Sequence, residues 1–195
     1  MQHRAGLGFR VKTGYATTIV LTGPTAAPKF LARETVLLAD LDVDDSRQPY
    51  HAVLERGELA GAAVVINARN AATARAQMAL RELAQLATRQ GANATAIGLV
   101  VGSVVDPFTL GNPHIRAHAL EGQFYRQGLE AAASDAGMRS VVLVERAAFA
   151  TASRSLRLDA ARLEEVLAGL GRGAGRPWRR EEQLATLAAW VALAS

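Results

Sequence analysis

AIGLVVGSVVDPFTLGNPHIRAHALEGQFYRQGLEAAASDAGMRSVVLVER, residues 96–146, is the stretch that decides the fold. Its two apolar runs, Ile97–Val101 and Val141–Val144, lack the in-out alternation of a half-solvated strand. Both faces of each run are therefore expected to be covered, as they are for parallel strands in an α/β sheet. The segment between them is far longer than the dozen or so residues that a parallel crossover needs. It also carries a helix signature, with Asn112 as N-cap, Pro113 at the first helical position and Gly137 as the stop. Ligand crevices in open parallel sheets lie beyond the carboxyl ends of the strands. Residues 102–112, the helix start and Glu145 thus surround one candidate site.

Upstream, residues 9–22 are rich in β-branched residues, and a Gly23-Pro24 turn separates them from a second β-leaning run, Lys29–Leu38. The pattern predicts an N-terminal antiparallel hairpin. Asp40, Asp42, Asp44 and Asp45 follow in a polar loop. A hard cation is one reading of such carboxylates, a solvated acidic loop the other, and the loop lacks the glycine and distal Glu of a calcium motif. Residues 54–66 read equally as strand or helix, whereas Asn67–Arg89 keeps helical spacing. Downstream, residues 147–155 read as a loop and Leu158–Leu170 as an amphipathic helix. GLGRGAGRPWRR reads as a basic turn without the Lys-Ser/Thr pair of a phosphate loop, and Glu181–Leu193 as a last helix. One α/β domain over 1–195 is expected, with 171–195 as a C-terminal basic turn and helix.

The chain has no cysteine, which excludes disulfides, thiolate nucleophiles and zinc-thiolate centres. No apolar span is long enough to cross a membrane, so a cytoplasmic protein without a membrane partner is expected. The net charge of +4 is carried almost wholly by arginine, since lysine occurs only at 12 and 29. That excess favours anionic partners only weakly.

Three groupings could carry chemistry. His114, His118, Glu121 and Tyr125 stack on one helical face. Two imidazoles and a carboxylate there suit either a polar ligand pocket or, as the alternative, a metal held by His114, His118 and Glu121. Ile115 stands where a zinc protease motif would keep its general base. Asp106 and Glu145 sit at or just past the ends of the two parallel strands, where catalytic carboxylates hold Mg²⁺. The competing reading has Asp106 capping a turn and Glu145 paired with Arg146 or Arg154. Arg176, Trp178, Arg179 and Arg180 place an indole among cations, fit either to stack a base or to pack on the domain.

GFRVKTGYATTIVL resembles the first strand and glycine-tyrosine turn of the ribonuclease-H-like fold in its RuvC and YqgF Holliday-junction resolvase branch. AIGLVVGS resembles that fold's fourth strand, VVLVERAAFATA its fifth strand with the acid at its end, and EEQLATLAAWVA its last helix. The resemblance implies a mixed sheet with an N-terminal β-hairpin, parallel strands near 96–102 and 140–145, flanking helices and a C-terminal helical segment. It also implies phosphodiester hydrolysis by two metal ions, Mg²⁺ or Mn²⁺, on acids from the first strand, the fourth or fifth strand, and the last helix. Glu145 matches the fifth-strand acid, and Glu181 or Glu182 the helix acids. The first strand departs from the pattern, because residues 1–33 contain no Asp or Glu and the matching region presents Arg10 and Lys12. A fixed cation there repels Mg²⁺ and attracts phosphate.

The resulting expectation is a domain that binds nucleic acid, a nucleotide or another phosphate-bearing small molecule through Lys12, Ser103, Asn112, His114, His118, Glu121, Tyr125, Arg154 and Trp178. A metal-dependent nuclease using Asp106 and Glu145 is the enzymatic alternative. A structural or partner-binding role, including homo-oligomerisation through the Ala-rich last helix, is the third.

Overall fold

The computed structural model describes residues 3–43 and 45–195. Strands β1 (His3–Lys12), β2 (Tyr15–Thr22), β3 (Lys29–Leu37), β4 (Ala92–Val101) and β5 (Arg139–Val144) form one mixed sheet in the order β3-β2-β1-β4-β5. β1–β2 and β2–β3 are antiparallel, and β1–β4 and β4–β5 are parallel. Ile97–Val101 and Val141–Val144 therefore lie side by side in one sheet, with Ile97 opposite Ser140 and Val101 opposite Val144.

The expected N-terminal hairpin is formed by β2 and β3, and one further strand precedes it. Residues 9–22 are not one strand but two, broken at Thr13-Gly14, where Gly14 takes φ 84° and lets β1 reverse tightly into β2. A three-stranded meander results. Residues 54–66 are helical, split between α1 (Pro49–Arg56) and the start of α2 (Glu58–Arg89). The Val64-Val65-Ile66 run is no buried strand, because Ile66 is 60% exposed while Ala68, Ala72, Ala76, Leu80, Leu83 and Ala87 carry a helical stripe to the sheet. Residues 147–155, expected as a loop, fall almost wholly within α4 (Ala148–Leu156). Helix α5 (Ala160–Ala174) runs into the glycine-rich segment, so the basic turn shrinks to residues 175–179.

Alternation along β1 explains the two layers. Ala5, Leu7, Phe9 and Val11 face a core shared with α2 and α3 (Pro113–Asp135). Gly6, Gly8 and Arg10 face the other way, toward α6 (Arg180–Ala194). Gly6 and Gly8, with Gly98 of β4, let the α6 backbone rest directly on the sheet. A Cβ on Gly8 would stand 2.0 Å from the Ala185 carbonyl oxygen, and one on Gly98 2.1 Å from that of Ala188.

The last helix is accordingly no appendage. Leu184 to Leu193 are buried throughout, and the fully buried Trp190 donates its indole N–H to the Thr25 carbonyl at 2.8 Å. Burying a side chain of that size is worth about 3 kcal/mol. The alanines of this helix, expected as a surface for a second subunit, are spent on the sheet.

Candidate functional site

Because β1, β4 and β5 run parallel, their carboxyl ends reach the same edge, and the antiparallel α6 brings its N-terminus there. Arg10 points into this edge from the glycine face of β1. Its side chain is 5% exposed, and Nη1–H donates to the carbonyls of Val11 (2.8 Å) and Val100 (3.4 Å). Nη2–H closes on the carboxylate of Glu145, the first residue past β5. Beside it, Lys12 Nζ lies 3.3 Å from Glu181 Oε1, and the Thr17 hydroxyl donates to Glu181 Oε2 at 3.3 Å. Glu182 turns away: its carboxylate accepts from the Arg179 N–H at 2.7 Å and closes the first turn of α6.

This edge does not fit the two-metal centre that the resemblance implies. Its two carboxylates each carry a counter-cation, and one of these is the buried guanidinium of Arg10. A dication would have to displace Arg10 from two backbone carbonyls and an ion pair, stranding its charge in a dry site.

Several expected site residues take no part in these ion pairs. Asp106 is not joined to Glu145. It caps the short 3-10 turn Pro107–Thr109, accepting from the Phe108 N–H at 3.0 Å. Glu145 pairs with Arg10, not with Arg146 or Arg154, and Arg154 is exposed in the last turn of α4. Ser103 lies in the exposed loop after β4. Asn112 accepts from the N–H groups of His114 (2.9 Å) and Ile115 (3.1 Å), so the start of α3 offers an anion fewer free donors than its sequence suggests.

Trp178 covers Gly171, where a Cβ would meet the indole at 2.5 Å. It lines an open groove of about 810 Å³ with Phe149, Leu163, Leu167 and Arg180. The Arg180 guanidinium stacks 4.7 Å over Phe149 rather than over the tryptophan. The acidic loop is also divided. Asp40 accepts from the Asp42 N–H at 3.2 Å and from Arg75 at 3.1 Å, contacts that hold its carboxyl below the usual range, while Asp45 pairs with Arg56. Asp44 lies outside the described residues. The described members therefore do not converge on a cation.

The four-residue face of α3 splits by depth. Glu121 and Tyr125 are buried, whereas His114 and His118 are exposed. The Tyr125 hydroxyl donates to the carbonyls of Ser46 (2.5 Å) and Arg47 (3.1 Å). Burial, reinforced by the Glu121 charge, pushes its pKa well above that of a free tyrosine, so it ties the 46–47 loop to α3 as a neutral phenol. A residue that sequence reasoning missed, His51 of α1, enters the same space. Its ring centroid lies 4.8 Å from that of His114 and 4.4 Å from that of His118.

No protein-family model and no curated protein matches the chain in sequence. Solved structures do match. A Thermus thermophilus RuvC structure, described as in complex with Holliday junction substrate, superposes with TM-score 0.54 at 12% identity, over 96% of this chain and 91% of that one. A second Thermus thermophilus RuvC structure gives TM-score 0.51 at 12% identity, over 96% and 92%. The fold is thus ribonuclease-H-like, of the RuvC type.

Proposed function

We propose that this ribonuclease-H-like domain binds nucleic acid across the carboxyl edge of its sheet and does not cleave it by a two-metal mechanism. The observation that carries the reading is the pairing of Arg10 with Glu145 and of Lys12 with Glu181. It puts cations where a resolvase would keep metal-binding acids, and the carboxylates that remain are already neutralised, which removes the affinity for Mg²⁺. Around this edge the exposed cations Arg146, Arg179 and Arg180 offer phosphate contacts. The loop after β4 holds Phe108 78% exposed, suited to stacking on an unpaired base. Since a matching structure is described with a Holliday junction, branched DNA is the first ligand to try.

The test is fluorescence anisotropy with a four-way junction, a duplex and a single strand, together with a cleavage assay in Mg²⁺ or Mn²⁺. Salt-sensitive binding that prefers the branched or unpaired substrate, without cleavage, is expected. Metal-dependent cleavage that Glu145→Ala abolishes would overturn the reading in favour of a nuclease. Saturation by mononucleotides or phosphate, with no affinity for oligonucleotides, would replace nucleic acid by a small phosphate-bearing ligand.

A further inference from the structure

We propose that His51, His114 and His118 form a binding site for a borderline-soft divalent metal, Zn²⁺ above all, built from residues that take no part in the strand-end ion pairs. His114 and His118 share one face of α3 at i, i+4, and His51 faces them from α1. One nitrogen from each ring lies within 4.8 Å of the other two. The Nε2 atoms of His114 and His118 are 3.2 Å apart. Tetrahedral zinc with Zn–N bonds of 2.0–2.1 Å separates its nitrogen ligands by about 3.3 Å. An N–H···N hydrogen bond would account for that pair alone, but it leaves the third ring unexplained, because His51 Nε2 is buried with no partner.

The buried carboxylate beneath the rings is the independent observation. Glu121 is fully buried, and its Oε1 lies 2.8 Å from His51 Nδ1. Its Oε2, also buried, has no hydrogen-bond partner and faces His118 Nδ1 at 3.9 Å. Glu121 thus sits on the Nδ1 side of two imidazoles at once. With Nδ1–H directed at the carboxylate, His51 presents a lone pair on Nε2, and His118 does the same with a small rotation. This is the carboxylate–histidine–metal arrangement that fixes ligand tautomers. A buried carboxylate whose hydrogen bonds both come from His51 and both fall on Oε1 is costly on its own, and a dication held by the rings above it supplies the missing charge. Imidazole donors select zinc, copper, nickel or cobalt over magnesium and calcium, which prefer oxygen. With three protein ligands and two exposed rings, a fourth position is left to water or an exogenous ligand. The metal would also clamp α1 onto α3.

The experiment uses the full chain, stripped with chelator and titrated with Zn²⁺ and Co²⁺ by calorimetry, optical absorption and thermal melting. The expected result is one ion per chain, intense low-coordinate Co²⁺ bands, a higher melting temperature with Zn²⁺, and no competition from excess Mg²⁺. His114→Ala and His118→Ala, at exposed positions where folding should survive, should each weaken binding at least about tenfold and quench the cobalt bands. Glu121→Gln should weaken binding about 10- to 100-fold with the stoichiometry retained. Absence of saturable 1:1 binding, or binding unchanged in the His114→Ala/His118→Ala double variant with native circular dichroism, would overturn the proposal. Neither outcome bears on nucleic-acid binding at the strand ends.

Discussion

Arg10 and Glu145, 135 residues apart in the chain, close on one another where β1 and β5 end on either side of β4. The pair is lopsided. The arginine side chain is 5% exposed and the glutamate 36%, so the two partners differ in what they lose when separated.

Glu145→Ala should therefore destabilise the domain more than Arg10→Met. The first strands a guanidinium that water cannot reach, a loss of about 2–3 kcal/mol, whereas the second leaves a carboxylate that can hydrate and keeps most of the apolar packing. Urea denaturation of both variants measures the difference. Equal losses would mean that Arg10 is held chiefly by the Val11 and Val100 carbonyls.

Gly8→Ala and Gly98→Ala should each prevent α6 from seating. The added methyl meets backbone oxygen at 2.0 and 2.1 Å, and backbone cannot swing aside as a side-chain tip can. Gly122→Ala, in the exposed face of α3 with open space around it, should instead stabilise by about 0.5–1 kcal/mol. Thermal melts of the three variants decide the matter.

Asp40 links stability to acid. The Asp42 N–H, and then Arg75, hold its folded-state pKa below the ordinary value. A depressed carboxyl pKa contributes stability that is fully present above the unfolded pKa and lost as pH falls through the folded one. The stability gap between wild type and Asp40→Asn should thus be constant near neutrality and shrink as pH drops below about 4. A gap that widened on acidification would contradict the assignment.

Arg146→Ala and Arg180→Ala should weaken nucleic-acid binding without altering its preference among sequences. Each lost phosphate contact should lower the slope of log K against log salt by about 0.9. Anisotropy titrations across a salt series provide the measurement.

Much of the sheet was legible because parallel strands buried on both faces leave uninterrupted apolar runs, as at Ile97–Val101 and Val141–Val144. The Asn112-Pro113 helix start was legible for equally local reasons. Residues 54–66 were not, since a short apolar run has the same appearance in a strand and in a helix that is partly exposed. The centrality of α6 was hidden too. It rests on Gly6, Gly8 and Gly98, which a sequence presents as weak strand residues and only the packing reveals as the floor beneath a helix. At the strand ends, Arg10 and Lys12 could be read as cations in place of acids, but their partners could not, because Glu145 and Glu181 reach them only through the crossovers. His51 had no signal at all: nothing in its neighbourhood announces that α1 will lie against the histidines of α3.

The seating of α6 on β1 has a consequence for the order of events in synthesis. Residues 6 and 8 reach the ribosome exit long before residues 185–193, so the glycine face of the first strand has no cover until α6 has emerged. Closing so distant a contact is slow, and a twisted strand with one bare face invites pairing with other chains meanwhile. Nascent chains of this protein should therefore depend on holding factors until α6 arrives, and protease resistance should appear abruptly once that helix is released rather than build up strand by strand.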